Sequence, residues 1–281
     1  MAAPFFSTPM QPYVYQGPDN AVTPFQILGG DGQIVQIMMK SHELVTAKPG
    51  TMCYTSGSIH IDYIYPPGNG VGLWQWLFGK SVTNTIFYNP GPDYGFVGIA
   101  APLPAQILPI DLARFGGEII CQSDAFLCSV SDVILTHTYD RRARHEVPSA
   151  ELILPQKLMG QGLAFMIGGG SVVQKSLEDG EVLTVDAACI VAMTTTITFE
   201  LKHSNPVRGV LFRGDRQLTA HLMGPGIVFL QSLPFKRLSQ NVSRSLSKSV
   251  LVENPKFFLQ LGLIFLLAYA IILVSLLLTD A

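Results

Sequence analysis

The sequence predicts an all-β domain followed by one C-terminal transmembrane helix, and three observations carry that expectation. Gly 26 and Pro 19 together make about one residue in six of the 281, a density that favours short strands and turns over long helices. Apolar and polar residues alternate with period two, with Ile59, Ile61 and Tyr63 against His60, Asp62 and Ile64, and Ile197, Phe199 and Leu201 against Thr198, Glu200 and Lys202. Residues 257–278 carry no charge, and only Gln260 and Ser275 interrupt them as clearly polar. At 1.5 Å per residue such a run rises about 33 Å, enough to cross a hydrocarbon core.

Composition excludes two classes. A chain that is 48% hydrophobic and 14% charged is far from the solvated composition that stays disordered. The net charge of -2, from 18 Lys+Arg and 20 Asp+Glu, leaves no basic excess to displace counterions from phosphates, so no nucleic-acid partner is expected.

The elements follow in order. Residues 1–24 hold Pro4, Pro9, Pro12, Pro18 and Pro24, which forbids a helix and predicts an extended arm laid over the domain. Residues 25–238 then repeat a pattern. Glu43, Glu118 and Glu181 each open a short apolar run, a turn residue follows, and a second β-rich run begins around Cys53, Cys128 and Cys189. This reads as a strand-turn-strand unit used about three times, each too small to close a core, so that the three share one, around a pseudo-threefold axis. Gly30 and Gly32, Gly168 and Gly170, and Gly224 and Gly226 mark recurring hairpin turns. Residues 239–256, rich in serine and basic residues, are expected to form a mobile tether. Lys236, Arg237, Arg244, Lys248 and Lys256 precede the apolar run and Asp280 follows it. The positive-inside rule then places the N-terminal domain on the cytosolic, matrix or stromal side of a single-pass, tail-anchored protein. The first basic residue is Lys40, so no secretory signal is expected.

The runs 117–135, 160–201 and 224–232, with the loop 72–81, resemble the altered-inheritance-of-mitochondria protein family of TRAP-like β domains. The resemblance spans about Pro24 to Leu238. It implies a β-sandwich or prism-like domain, a link to mitochondrial inner-membrane organisation, and no established catalytic residues. An endomembrane address is the alternative to the mitochondrial one.

Candidate chemistry is sparse. His42, His60, His137, His145, His203 and His221 show no metal-ligand spacing, and no nucleophile elbow or phosphate loop occurs. No catalytic residue, cofactor or metal is therefore expected. The four cysteines lack a CxxC spacing and read as small buried hydrophobes. The cluster from Asp140 to Glu146 reads as a solvated loop. The three glutamates read as carboxylates accepting backbone N–H groups at turns. Trp74, Trp76, Leu77 and Phe78 form a candidate partner or membrane-interface patch, and the five basic residues before the apolar run are candidates to face anionic lipid. The expected function is a non-enzymatic interaction or assembly scaffold in mitochondrial or other organelle membrane organisation. Its expected partners are the lipid bilayer and proteins, including further copies of itself. An anionic-lipid-binding module and an enzyme with an unrecognised site, perhaps around the three glutamates, are the alternatives.

Overall fold

A computed structural model describes residues 9–15, 23–64, 84–137, 154, 156–203, 218–235, 237–243 and 262–270. The chain divides into two compact units, Met1–Pro234 and Phe235–Ala281.

Strands dominate the first unit. They are β1 Gln11–Pro12, β2 Phe25–Leu28, β3 Ile34–Met39, β4 Leu44–Ala47, β5 Met52–Thr55, β6 His60–Ile64, β7 Asn84–Tyr88, β8 Gly95–Ala100, β9 Ala105–Asp111, β10 Glu118–Cys121, β11 Phe126–Val130, β12 Val133–His137, β13 Gln156–Gly160, β14 Leu163–Gly169, β15 Val172–Leu177, β16 Val182–Asp186, β17 Ile190–Thr194, β18 Thr198–His203, β19 Leu218–Met223 and β20 Gly226–Gln231. The all-β expectation holds for this unit.

From β3 onward the chain traces one six-strand path three times: β3 to β8, β9 to β14, and β15 to β20. In each pass the first and third strands both pair with the sixth. The second and fourth both pair with the fifth. Every pairing is antiparallel, and a bulge interrupts the third strand at the same place in all three, between Met52 and Tyr54, Phe126 and Cys128, and Ile190 and Ala192. A bulge conserved across internal copies re-aims the strand at one fixed point. The strand-turn-strand units read from sequence are therefore the second and third strands of each repeat. They are not hairpins, because the two strands enter different half sheets.

Successive repeats join by pairing the second strand of one with the third of the next. β4 meets β11 through Val45↔Val130, Thr46↔Ser129 and Ala47↔Cys128. β10 meets β17 through Ile119↔Thr194, Ile120↔Met193 and Cys121↔Ala192. The result is a six-stranded sheet, β6-β7-β4-β11-β14-β9, and a seven-stranded sheet, β12-β13-β10-β17-β20-β15-β1. The two outermost half sheets stay separate as β16-β19-β18 and β2-β3-β8-β5.

Alternation along the strands places three cores between these four sheets, which corrects the expectation of one shared core. In β14, Phe165 and Ile167 face the first core while Ala164 and Met166 face the next. In the seven-stranded sheet, Ile119 and Cys121 join that second core, whereas Ile120, Met193 and Val228 turn to the third. Because period-two strands in the inner sheets bury both faces, they read as continuous apolar runs.

Of the proline-rich arm expected over 1–24, residues 9–15 are described next to the domain, and 1–8 and 16–22 lie outside the described residues. Pro12 lies in an edge strand, where a missing N–H costs no ladder bond, and β1 pairs with β15 through Gln11↔Gln174. The Tyr13 hydroxyl donates to the Pro109 carbonyl oxygen, and its ring packs edge-on against Phe229 at 5.3 Å between centroids. Burial, followed by the charge of Tyr15, pushes the Tyr13 hydroxyl well above its ordinary pKa.

Two expectations are corrected in the second unit. Among the described residues no helix is long and apolar enough to cross a membrane, so the transmembrane helix over 257–278 does not stand. Within that segment residues 262–270 are described, all of them helical. Its Leu263, Ile264, Phe265 and Leu266 are all more than half exposed, and 257–261 and 271–278 lie outside the described residues. Hydropathy registers what a side chain prefers as solvent, whereas helix length is set by where backbone hydrogen bonding starts and stops. Within the tether expected over 239–256, residues 239–243 are helical, as are 235, 237 and 238, and 244–256 lie outside the described residues. Phe235, Leu238 and Val242 recur at helical spacing three and four, a signal hidden by the serine-rich composition.

Candidate functional site

The three glutamates do not converge. Asn89 N–H donates to the Glu43 carbonyl at 3.2 Å, Gly160 N–H to that of Gly117 at 2.9 Å, and Gly224 N–H to that of Glu181 at 3.0 Å. Glu43, Gly117 and Glu181 are thus the equivalent residues, and Glu118 lies one position further along. The preceding residue is left-handed in each repeat, His42 at φ 61°, Gly116 at 76° and Gly180 at 74°. The carboxylates of Glu43 and Glu181 accept the backbone N–H of Lys40 at 2.8 Å and of Glu178 at 3.0 Å, the turn role expected from sequence.

Glu118 acts differently, bonding Lys157 Nζ and accepting from Thr195 Oγ1 at 2.7 Å across the junction between the second and third repeats. The Lys157 bond, then the Thr195 bond, hold its carboxyl below the ordinary carboxylate range. A depressed folded-state pKa stabilises the fold at pH above the unfolded carboxylate value, near 4.3, and that contribution is lost as pH falls through the folded value. Glu118→Gln is therefore expected to flatten the acid limb of a urea-midpoint-against-pH curve and to leave its neutral region nearly unchanged.

The third core holds the most demanding polar group. Lys175 is fully buried, and its Nζ lies 2.6 Å from Glu181 Oε1. Register on the sixth strand, Lys175↔Val228, Ile37↔Val97 and Ile110↔Ala164, puts Lys175 where the other two repeats carry buried isoleucines.

Several sequence candidates lie outside the described residues: Trp74, Trp76, Leu77, Phe78, Lys236, Arg244, Lys248, Lys256 and the cluster from Asp140 to Glu146. Arg237 is half-buried at the start of the helical stretch 237–243. Gly224 and Gly226 bracket the turn from fifth to sixth strand in the third repeat, whose counterparts are Gly160 and Gly162. Gly168 and Gly170 lie instead at the passage from β14 to β15, and Gly30 and Gly32 at the passage from β2 to β3, so the three glycine pairs are not one recurring turn. A Cβ at Gly224 would come 2.2 Å from the Glu178 carbonyl oxygen. His42 Nδ1 bonds the Tyr88 hydroxyl at 2.7 Å, and His221 Nδ1 bonds Thr184 Oγ1 at 3.0 Å. Among the described residues no group of three or more His, Cys, Asp or Glu could hold a metal ion.

The cysteines divide. Cys121 and Cys128 are buried, and burial pushes the Cys121 thiol up to about 12 and the Cys128 thiol well above its ordinary value. Cys189 is half-buried and Cys53 is exposed, which corrects the reading of all four as buried hydrophobes. A maleimide at neutral pH should leave Cys121 and Cys128 unmodified until the fold is opened with denaturant, which intact-mass measurement checks.

Cys53 points to the feature that sequence reasoning missed. Its counterparts at the bulge, Leu127 and Val191, are at most 1% exposed because the preceding repeat's core covers them. The first repeat has no preceding repeat, and its outer face is rebuilt accordingly. Cys128↔Phe165 and Ala192↔Phe229 place a small residue on the third strand and a phenylalanine on the sixth. Tyr54↔Gly98 reverses the sizes. The Tyr54 ring lies over Gly98, where a Cβ would come within 2.4 Å of it, and its hydroxyl donates to Gln36 Oε1 at 2.8 Å. Met38, Met52 and Phe96 remain 48%, 45% and 42% exposed around it.

Residues 25–233 match the family described as Mitochondrial biogenesis AIM24. The chain belongs to this family. The match stops beside Pro234, where the compact β unit of this AIM24 chain also ends, and membership ties the chain to mitochondrial biogenesis. Curated proteins show no significant match to it. Among solved structures, the crystal structure of protein SPYM3_0169 from Streptococcus pyogenes is similar at 20% identity and a TM-score of 0.63, covering 79% of this chain and 98% of that one, a likeness of fold.

Proposed function

We propose that this AIM24 chain is a non-catalytic interaction scaffold in mitochondrial biogenesis, and that the exposed outer face of its first repeat is a binding surface. The observation that carries the reading is the contrast in that face. The segments Phe126–Cys128 and Ile190–Ala192 are buried, whereas their first-repeat counterparts Met52 and Cys53 are exposed and Tyr54 is half-buried, beside exposed Met38 and Phe96, a patch of the kind that marks a protein contact. The polar side chains that drew attention in the sequence support it further, since Glu43, Glu118 and Glu181 are each engaged in bonds that hold turns, junctions or the core. Complementation in cells tests the reading. Phe96→Glu, on an exposed site, is expected to abolish both the native-gel complex and the mitochondrial role, while Glu118→Gln preserves both. Loss of the role in Glu118→Gln with the complex intact would favour an enzyme instead.

A further inference from the structure

The two open half sheets are the two halves of a sheet that the chain builds twice internally. Strands β18-β19-β16 supply the fourth, fifth and second positions of the third repeat, and β5-β8-β3 the third, sixth and first positions of the first repeat, with β2 from the N-terminal segment beyond them. Joined at β16 and β5, they would read β18-β19-β16-β5-β8-β3-β2. That is position for position the order of the seven-stranded sheet β12-β13-β10-β17-β20-β15-β1, including an arm strand at the end.

We propose that β16 of one copy pairs antiparallel with β5 of a second copy, so that this chain assembles head to tail through the junction it already uses between its own repeats. The inference rests on the scaffold reading and names its partner as another copy. Register follows from the internal junctions. Lys48 N–H donates to the Leu127 carbonyl at 2.8 Å, and Gln122 N–H to the Val191 carbonyl at 3.0 Å. The equivalent donor is Asp186 N–H and the equivalent acceptor the Cys53 carbonyl of the neighbouring copy. Thr184 then pairs with Thr55, as Thr46 does with Ser129 and Ile120 with Met193. Among the described residues no strand pairs with the outer edge of β16 or of β5; such an edge is a template for strand addition, and contact between unlike surfaces yields rings or filaments. The same contact would extend the third core over Cys53, Tyr54 and Phe96, as the first core extends over Leu127, Cys128 and Leu163.

The register makes a blocking variant available. The N–H groups of the Lys48 and Gln122 row leave the repeat, so that of Thr184, in the same row, faces the open edge and not β19. Thr184→Pro removes it without touching the β16-β19 ladder. Full-length chains carrying Cys53→Ser with either Thr55→Cys or Thr184→Cys, each with the circular dichroism of the parent, are mixed and treated with a short thiol crosslinker. Crosslinked dimers are expected in the mixture, at least about tenfold above either variant alone. In the parent chain, Cys53 should label slowly at high concentration and rapidly with Thr184→Pro. Equal crosslinking in mixed and unmixed samples, or labelling of Cys53 independent of concentration and of Thr184→Pro, would overturn the proposal. The cellular complex of the Phe96→Glu experiment would still judge the scaffold reading separately.

Discussion

Glu181→Ala is expected to lower the stability of the repeat unit by about 3 to 5 kcal/mol, measured as a shift of the urea midpoint of the full chain. The reason is asymmetric. Lys175 is fully buried with its Nζ 2.6 Å from Glu181 Oε1, and deleting the carboxylate leaves an ammonium in the third core without the counter-charge. The Glu178 backbone N–H loses its acceptor as well. Lys175→Ile combined with Glu181→Gln should behave differently, because isoleucine occupies the equivalent buried sites at Ile37 and Ile110. Replacing a buried ion pair by packed apolar atoms is often neutral or stabilising by about 1 to 4 kcal/mol. A double variant as damaged as Glu181→Ala would mean that the pair supports the fold through more than charge compensation.

Phe165→Ala is expected to cost about 3 to 5 kcal/mol, the range for emptying a fully buried phenylalanine site. Phe165 is fully buried in the first core, belongs to the second repeat, and meets the Phe25 ring edge-on at 5.0 Å. It therefore measures the coupling between two repeats. Phe96→Ala, on the outer face of the first repeat, should stay within about 0.5 kcal/mol in dilute solution, where that face is wet. Urea titrations of both variants check the contrast, and a large dilute-solution loss for Phe96→Ala would show that the face is covered within one chain.

The period-two alternation around Ile61 and Phe199 makes the strands legible in the sequence. The six-strand path was not, because Glu43 and its neighbours run into strands that pair with segments forty or more residues away, as in Leu44↔Tyr88, and alternation carries no partner identity. Aligning the repeats by glutamate also misplaced one of them by a residue: Gly117 holds the turn position and Glu118 is free to reach Lys157. The outer-face exchange of Tyr54 and Gly98 against Cys128 and Phe165 leaves a sequence trace only once register is known. Apolarity over 257–278 was read as length of helix, which hydropathy does not fix. The helical residues 235 and 237–243 are hidden for the opposite reason, since the serine content outweighs three apolar residues at the right spacing.

The most direct measurement is the molar mass of the full chain by light scattering after size exclusion, across a concentration series, beside Thr184→Pro. The paired-edge account predicts multiples of the 30.6 kDa chain that grow with concentration until a closed assembly forms, and a single-chain mass for Thr184→Pro at every concentration. A single-chain mass for both proteins, or assemblies of equal size for both, would contradict it.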